Sequence, residues 1–424
     1  MFYATNPTSS SSSFTKTVSY TESAIPESFN YDCSNFFFEI EQQDEEGLRK
    51  FGKSKENRPL PVVEMGLFMD RDGIPLGVCI DPGNTNENKT LKPIEQRILS
   101  EYGMSKFIVC TDAGLASKAN RKFNSINDRA FIVTSSIKKL KNELREWALS
   151  PQGWYISDGN RRKKYDLSKL IAGEVDEKTQ QTFKDTVFYK ERWVDQGSFE
   201  EKLIVTFSLK YQQYQRSIRN GQIERARKAI ANGTVKAKKY NQNDYRRFVE
   251  KTAVTDDGEI AEHTLFSIHA QRIAEEEKYD GFYALNTNLE DDPKQIVKVS
   301  HQRWQIEECF RIMKSELKAR PAHVSTDTRI NGHFLTCYLA LVLYRYLEKR
   351  TGNKYTCEQL ISTLRGMHMR EVVGEGYLPS YTRTDITDDL HEAFGFRTDY
   401  QILTSQRMKK IIKSSKDRNL TRKK

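Results

Sequence analysis

Cysteine is scarce in this 424-residue chain: there are six, and none sits in a C-x-x-C pair. Cys33, Cys79, Cys110, Cys309, Cys337 and Cys357 are spread singly. That spacing excludes the common zinc motifs and argues against a disulfide framework, so the six read as small buried hydrophobes in a reducing compartment. The seven histidines are equally scattered. Long apolar runs are missing too. No stretch approaches the ~18–20 residues that cross a bilayer. The longest, Phe334 to Leu347, is broken by Tyr, Thr and Arg and reads as a buried helix. The first residues lack a basic segment followed by an apolar one, so neither a secretory signal nor a membrane role is expected.

What is present is ordinary for a soluble globular protein: 30% charged and 37% hydrophobic residues. The length exceeds what one core usually spans, so two or three structural units are expected. Lys and Arg outnumber Asp and Glu by 68 to 58, a surplus of +10. Such a surplus fits a polyanionic partner, and equally a basic protein with no nucleic-acid role.

Residues 1–24 are rich in Ser and Thr and read as a flexible leader. Tyr31 to Ile40 is aromatic-rich and predicts a strand. Val62 to Met69 and Ile74 to Ile80 predict two more, joined by the turn Asp70-Arg71-Asp72-Gly73. Asp81-Pro82-Gly83-Asn84 ends the hairpin, with Asp81 expected as a turn former. Thr90 to Tyr102 has helical periodicity. Phe107 to Thr111 and Ala130 to Thr134 read as buried strands, with a helix from Ala116 to Ile126 between them. A meander followed by alternating units predicts an α/β protein with a mixed sheet flanked by helices.

Residues 25–136 read as one sheet-and-helix segment, and 281–350 as a later one of a strand and helices. Residues 137–280 differ from both, being basic and partly helical. Lys210 to Lys251 holds twelve basic residues against three acids, with Arg216, Arg219, Arg225, Arg227 and Lys228 interleaved among Tyr211, Tyr214, Tyr240 and Tyr245. This is either a phosphate-contacting surface or a solvated helical face. A single helix is expected over Gln295–Leu317, a second over Ile330–Arg350, a helical region over 351–404, and a disordered basic tail over 405–424, where nine basic groups face one acid.

The chemistry concentrates between Ser300 and Lys314. With Arg303 at the origin of a helical wheel, Glu307 falls at about 40° and Lys314 at about 20°. Ile306, Phe310, Met313 and Leu317 make the neighbouring core stripe. Two readings fit a carboxylate flanked by two cations: a surface salt-bridge ladder, or a metal-binding carboxylate with cations that grip substrate phosphates.

Arg303-x3-Glu307-x6-Lys314 resembles the signature Tyr-x2-Arg-x3-Glu-x6-Lys of DDE insertion-sequence transposases of the IS-four-like group. Tyr31-Asp32 before an aromatic strand, Asp81-Pro82-Gly83-Asn84-Thr85-Asn86 after the hairpin, and Thr111-Asp112-Ala113-Gly114-Leu115 at a strand end extend the likeness from about Tyr31 to about Met408. The resemblance implies an RNase H-like catalytic core interrupted by a large insertion. Asp32 would lie on the first strand, Asp112 at the end of the fourth, and Glu307 on a later helix. It implies a catalytic and metal-binding set of Asp32, Asp112 and Glu307 with two Mg²⁺ (Mn²⁺ as substitute), and phosphate contacts from Arg303 and Lys314. Three carboxylates make sense for two hard cations about 3.5–4 Å apart, one at the nucleophile and one at the leaving oxygen. The implied activity is cut-and-paste transposition, by cleavage at transposon ends and strand transfer. The partners would be the terminal inverted repeats, target DNA and a second copy in a synaptic homodimer. The implied location is the cytoplasm of a prokaryote, at the nucleoid. An inactive remnant that only binds DNA, or a metal-dependent nuclease, remains as an alternative. Two departures stand out. Ser300 occupies the usual Tyr position, and only 31 residues precede Asp32, so an N-terminally shortened copy is expected.

Overall fold

The computed structural model describes residues 28–102, 107–157, 163–235, 244–254 and 263–416. The Ser/Thr-rich leader, Tyr240 and the last eight residues lie outside them. The chain divides into two compact units: the first is mainly Phe29–Met104 with Trp304–Lys424, the second mainly Ser105–Arg303.

The first unit opens with strands β1 (Ser28–Phe37), β2 (Val62–Asp70) and β3 (Pro75–Pro82), followed by helix α1 (Leu91–Tyr102). β1 pairs antiparallel with β2, Asp32 opposite Leu67 and Asn35 opposite Glu64. β2 pairs antiparallel with β3. The hairpin turn is closed by Asp70, whose Oδ1 accepts the N–H groups of Asp72 and Ile74 at 2.9 and 2.8 Å, as its sequence suggested. Asp81 differs from expectation: it lies within β3 and is half-buried, opposite Glu64. The turn is one residue further on, because Gly83 lets backbones cross there. A Cβ on Gly83 would meet the Val62 carbonyl at 2.0 Å, and one on Gly52 would meet the Gly83 carbonyl at 1.8 Å.

The second unit continues with β4 (Phe107–Thr111), α2 (Lys118–Phe123) and β5 (Arg129–Ser135), then β6 (Trp154–Tyr155), β7 (Lys164–Tyr165), β8 (Phe188–Asp195), β9 (Glu200–Phe207) and the long helix α3 (Leu209–Ala231). A separate hairpin, β10 (Val249–Val254) with β11 (His263–Ile268), leads to α4 (Ala270–Glu277), β12 (Phe282–Thr287) and α5 (Pro293–His301). The sheet of this unit runs β4-β5-β12-β9-β8-β6-β7. It is mixed: β4 and β5 are parallel, and β12 is antiparallel to both β5 and β9. Ile296 and Val297 of α5 pack on one face with Ile108, Ile132, Ile204 and Leu285.

The chain then returns to the first unit with α6 (Trp304–Ser315), α7 (Asp327–Arg350), α8 (Cys357–Gly366), the hairpin β13 (Met369–Val372) and β14 (Gly376–Pro379), α9 (Asp385–Phe394) and α10 (Ser405–Ser415). Ile306, Cys309, Phe310 and Met313 of α6 join Phe334, Tyr338 and Leu341 of α7 over the face of the meander that carries Phe36, Met65, Leu67 and Val78. Each large apolar group buried there contributes about 1.5–3 kcal/mol.

The order meander, helix, strand, helix, strand is the one expected, and it makes an α/β protein with helices on a mixed sheet. All six cysteines are free thiols, five of them buried. Two expectations are corrected. The helix expected over Gln295–Leu317 is two helices, α5 and α6, separated at Gln302–Arg303. The basic tail is helical through Ser415. In the basic stretch Arg225, Arg227 and Lys228 are exposed, whereas other arginines are consumed within the fold. Arg219 is buried and donates two hydrogen bonds of 2.6 Å to Asp280, and Arg247 pairs with Glu276.

Candidate active site

β1 is buried at every position except Asp32, which is half-open. Side chains alternate along a strand, so Asp32 shares the face of Ser34 and Phe36, the face that α6 covers. The Cys33 N–H donates to Asp32 Oδ1 at 2.8 Å. From the last turn of α6, Lys314 donates to Ser34 Oγ and places its ammonium 5.2 Å from the Phe36 ring centroid. Burial pulls the Lys314 pKa down to about 8; Lys55 also lowers it, while Glu64 and Asp32 act in the opposite direction. Glu307 lies two turns earlier on the same side of α6, exposed. One strand and one helix thus bring Asp32 and Lys314 together, with Glu307 further along the same helix edge.

Four residues that sequence reasoning missed surround this seam. Lys55 donates from its ammonium to the Cys33 carbonyl and pairs with Glu87 at 3.3 Å. Burial lowers the Lys55 pKa, but the charges of Asp32, Glu87 and Glu64 outweigh it and the net shift is upward. Asn35, itself buried, fixes the loop that carries Lys55: its Nδ2 donates to the Lys53 carbonyl at 2.9 Å and its Oδ1 accepts the Lys55 N–H at 3.1 Å. Glu64 is 3% exposed, and burial followed by the Glu87 charge pushes its pKa up to about 7. No periodic pattern marks Lys55, because loops carry none. The one available signal was the pair of glycines, Gly52 and Gly83, whose contact holds the loop down.

In the second unit, Asp112 directly follows β4 and is half-exposed. Its Oδ1 accepts the Leu115 N–H at 3.0 Å. A Cβ on Gly114 would stand 3.2 and 3.3 Å from the two carboxylate oxygens, so the Asp112 side chain would have to shift to admit it. Arg303 lies at the same end of the β4–β5 pair, where Nη1 donates to Thr134 Oγ1 at 3.2 Å and its charge acts on Cys110. Its Nε is buried without a hydrogen-bond partner. The stripe expected of Arg303, Glu307 and Lys314 is therefore corrected. Glu307 and Lys314 share α6, whereas Arg303 precedes it and is anchored in the second unit. Ser300, at the position of the signature's Tyr, is buried in α5.

Asp32, Asp112 and Glu307 offer carboxylate oxygens at half-open or exposed positions. Asp388, His391 and Asp399 also bring three donor atoms within 4.8 Å of one another. Arg397 and Arg383 already bridge those two aspartates, so this second group is an ion-pair network.

The sequence model of the transposase DDE domain matches residues 36–343. The chain belongs to that family. The matched span includes Asp112, Arg303, Glu307 and Lys314, and begins four residues after Asp32 (36 − 32). No curated protein matches the chain. Among solved structures, a piggyBac transposase synaptic complex with hairpin DNA, determined by cryo-EM, aligns over 95% of this chain and 57% of that one, at 9% identity and a TM-score of 0.38. The chain thus spans just over half the length of that protein. Proteins of this family are polynucleotidyl-transferase-type enzymes that generally depend on divalent metal. Among the described residues, no helix is long and apolar enough to cross a membrane.

Proposed function

We propose that this transposase cuts DNA at the ends of its own mobile element and joins the freed ends to a new site, using Asp32, Asp112 and Glu307 as its carboxylate set. The supporting observation is that the one open position on an otherwise buried β1 is an aspartate, on the face covered by the helix of Glu307 and Lys314. These carboxylates would hold two Mg²⁺ ions, with Mn²⁺ as substitute, which would supply charge neutralisation at the scissile phosphate and activation of a water or a 3′-hydroxyl. The protein's own groups hold and orient the DNA. Lys314 offers a cation beside Asp32, and Arg303 offers its guanidinium at the end of the β4–β5 pair that Asp112 follows. The match of Arg303, Glu307 and Lys314 to the IS-four-like signature favours cut-and-paste movement of an insertion sequence. In this reading residues 137–280 are the insertion between Asp112 and Glu307, flanked by core segments 25–136 and 281–350. The DNA partners are terminal inverted repeats and target DNA, bound by a synaptic homodimer at a prokaryotic nucleoid.

A strand-transfer assay tests this. Duplexes tiled across the genomic DNA on both sides of the coding sequence are offered as pre-cleaved ends with a supercoiled target and Mg²⁺. Joined products that vanish in Asp32→Ala and Glu307→Ala are expected. Cleavage without joining identifies a nuclease, and DNA binding with neither reaction identifies an inactive remnant.

A further inference from the structure

We propose that Lys55 is a DNA-phosphate-binding residue of the Asp32 site, held in place before DNA arrives by Glu87, whose carboxylate occupies the position a phosphate oxygen takes in the complex. This rests on the transposase reading above and adds a residue outside the signature helix.

The loop of Lys55 is built in place. Asn35 clamps its backbone on both sides, at Lys53 and at Lys55, from a buried position on β1. The contact of Gly52 with Gly83 presses its start against the end of the hairpin. Arg320 pairs with Glu56 at its far side. The lysine so presented donates to the carbonyl of Cys33, the residue after Asp32. It lies in the field of Asp32 and of Lys314, the cation that α6 brings to the same strand. Both ammonium groups act on the Asp32 carboxylate, and two cations so close together also make a receptor for a phosphate brought beside that carboxylate.

Glu87 explains how the site stays neutral when empty. It sits in a short helical turn before α1, 3.3 Å from the Lys55 ammonium, and both side chains are partly exposed. A pair with that exposure contributes little to stability, so a phosphate readily replaces the carboxylate. One phosphate neutralised by Lys55 releases about one counterion and steepens the salt dependence of binding by about 0.9.

The test is equilibrium binding of fluorescent duplexes, tiled across the DNA bounding the coding sequence, to the full chain in EDTA at several salt concentrations. Lys55→Met keeps the apolar stem and removes the charge. The proposal expects a severalfold loss of affinity at low salt and a salt slope shallower by about one, with Lys55→Arg restoring both. Glu87→Gln should tighten binding severalfold, and that gain should disappear in the double variant with Lys55→Met. An unchanged salt slope in Lys55→Met overturns the proposal. If that variant does not fold, an unchanged affinity in Glu87→Gln overturns it. Mg²⁺-dependent cleavage by Asp32→Ala is measured alongside. Its persistence refutes the transposase assignment of the site, whereas its loss together with an unaltered Lys55→Met slope refutes only the role of Lys55.

Discussion

Glu64 carries a carboxyl that burial holds neutral up to about pH 7, against a usual value near 4.5. Between those two values the folded chain keeps a proton that the unfolded chain has released. Its contribution is therefore fully present below pH 4.5 and is lost as pH rises through 7. Glu64→Gln should abolish this slope in denaturant melts between pH 5 and 8, with a maximal effect of about 3 kcal/mol at 1.36 kcal/mol per pH unit. At Gly114 the expectation concerns chemistry. A Cβ would crowd both Asp112 carboxylate oxygens, so Gly114→Ala should slow Mg²⁺-dependent DNA cleavage at least tenfold while leaving thermal stability within about 0.5 kcal/mol of the parent. Asp32 and Asp112 were legible in the sequence because each adjoins an apolar strand whose pattern needs no partner to be recognised. Lys55, Asn35 and Glu64 were not. Their meaning comes from cross-strand and loop contacts, such as Asn35 opposite Glu64, that no local pattern encodes.

Helix α6 is positioned by its apolar stripe, and its cationic and acidic edge follows from that. Phe310 is 5% exposed in the core shared with α7. Phe310→Ala should cost about 3–5 kcal/mol in equilibrium unfolding and, by loosening the helix of Glu307, lower cleavage more than DNA binding. The break before α6 escaped sequence reasoning because helical periodicity runs unbroken through Gln302–Arg303, with no Gly or Pro to interrupt it. What separates the helices is tertiary: Ile296 and Val297 anchor α5 in one core, and Ile306 and Phe310 anchor α6 in another. Helix α3 teaches the converse. Its basic count suggested a DNA surface, yet Arg219 is spent on Asp280 inside the fold. Removing one partner of a buried pair leaves the other uncompensated, so Arg219→Ala should destabilise the protein by about 3–5 kcal/mol. It should leave the salt slope of DNA binding unchanged in those conditions where the variant stays folded.

On the scale of the whole molecule, the chain uses two compact units, with Asp32, Glu307 and Lys314 in the first and Asp112 and Arg303 in the second. The element succession that gives a mixed sheet with helices was legible because strands and helices here follow simple periodicities. The division of the candidate residues between units was not, since it is decided by which core each end of the α5–α6 segment joins. The central claim is that Asp32, Asp112 and Glu307 act as ligands of one divalent-metal centre. It is tested most directly by replacing each with cysteine and measuring end cleavage in Mg²⁺ and in Mn²⁺. Thiolate is a poor ligand for hard Mg²⁺ and a better one for Mn²⁺. The account predicts that all three variants lose cleavage in Mg²⁺ and regain a measurable part of it in Mn²⁺. Parental cleavage in Mg²⁺ by any one of the three would contradict it.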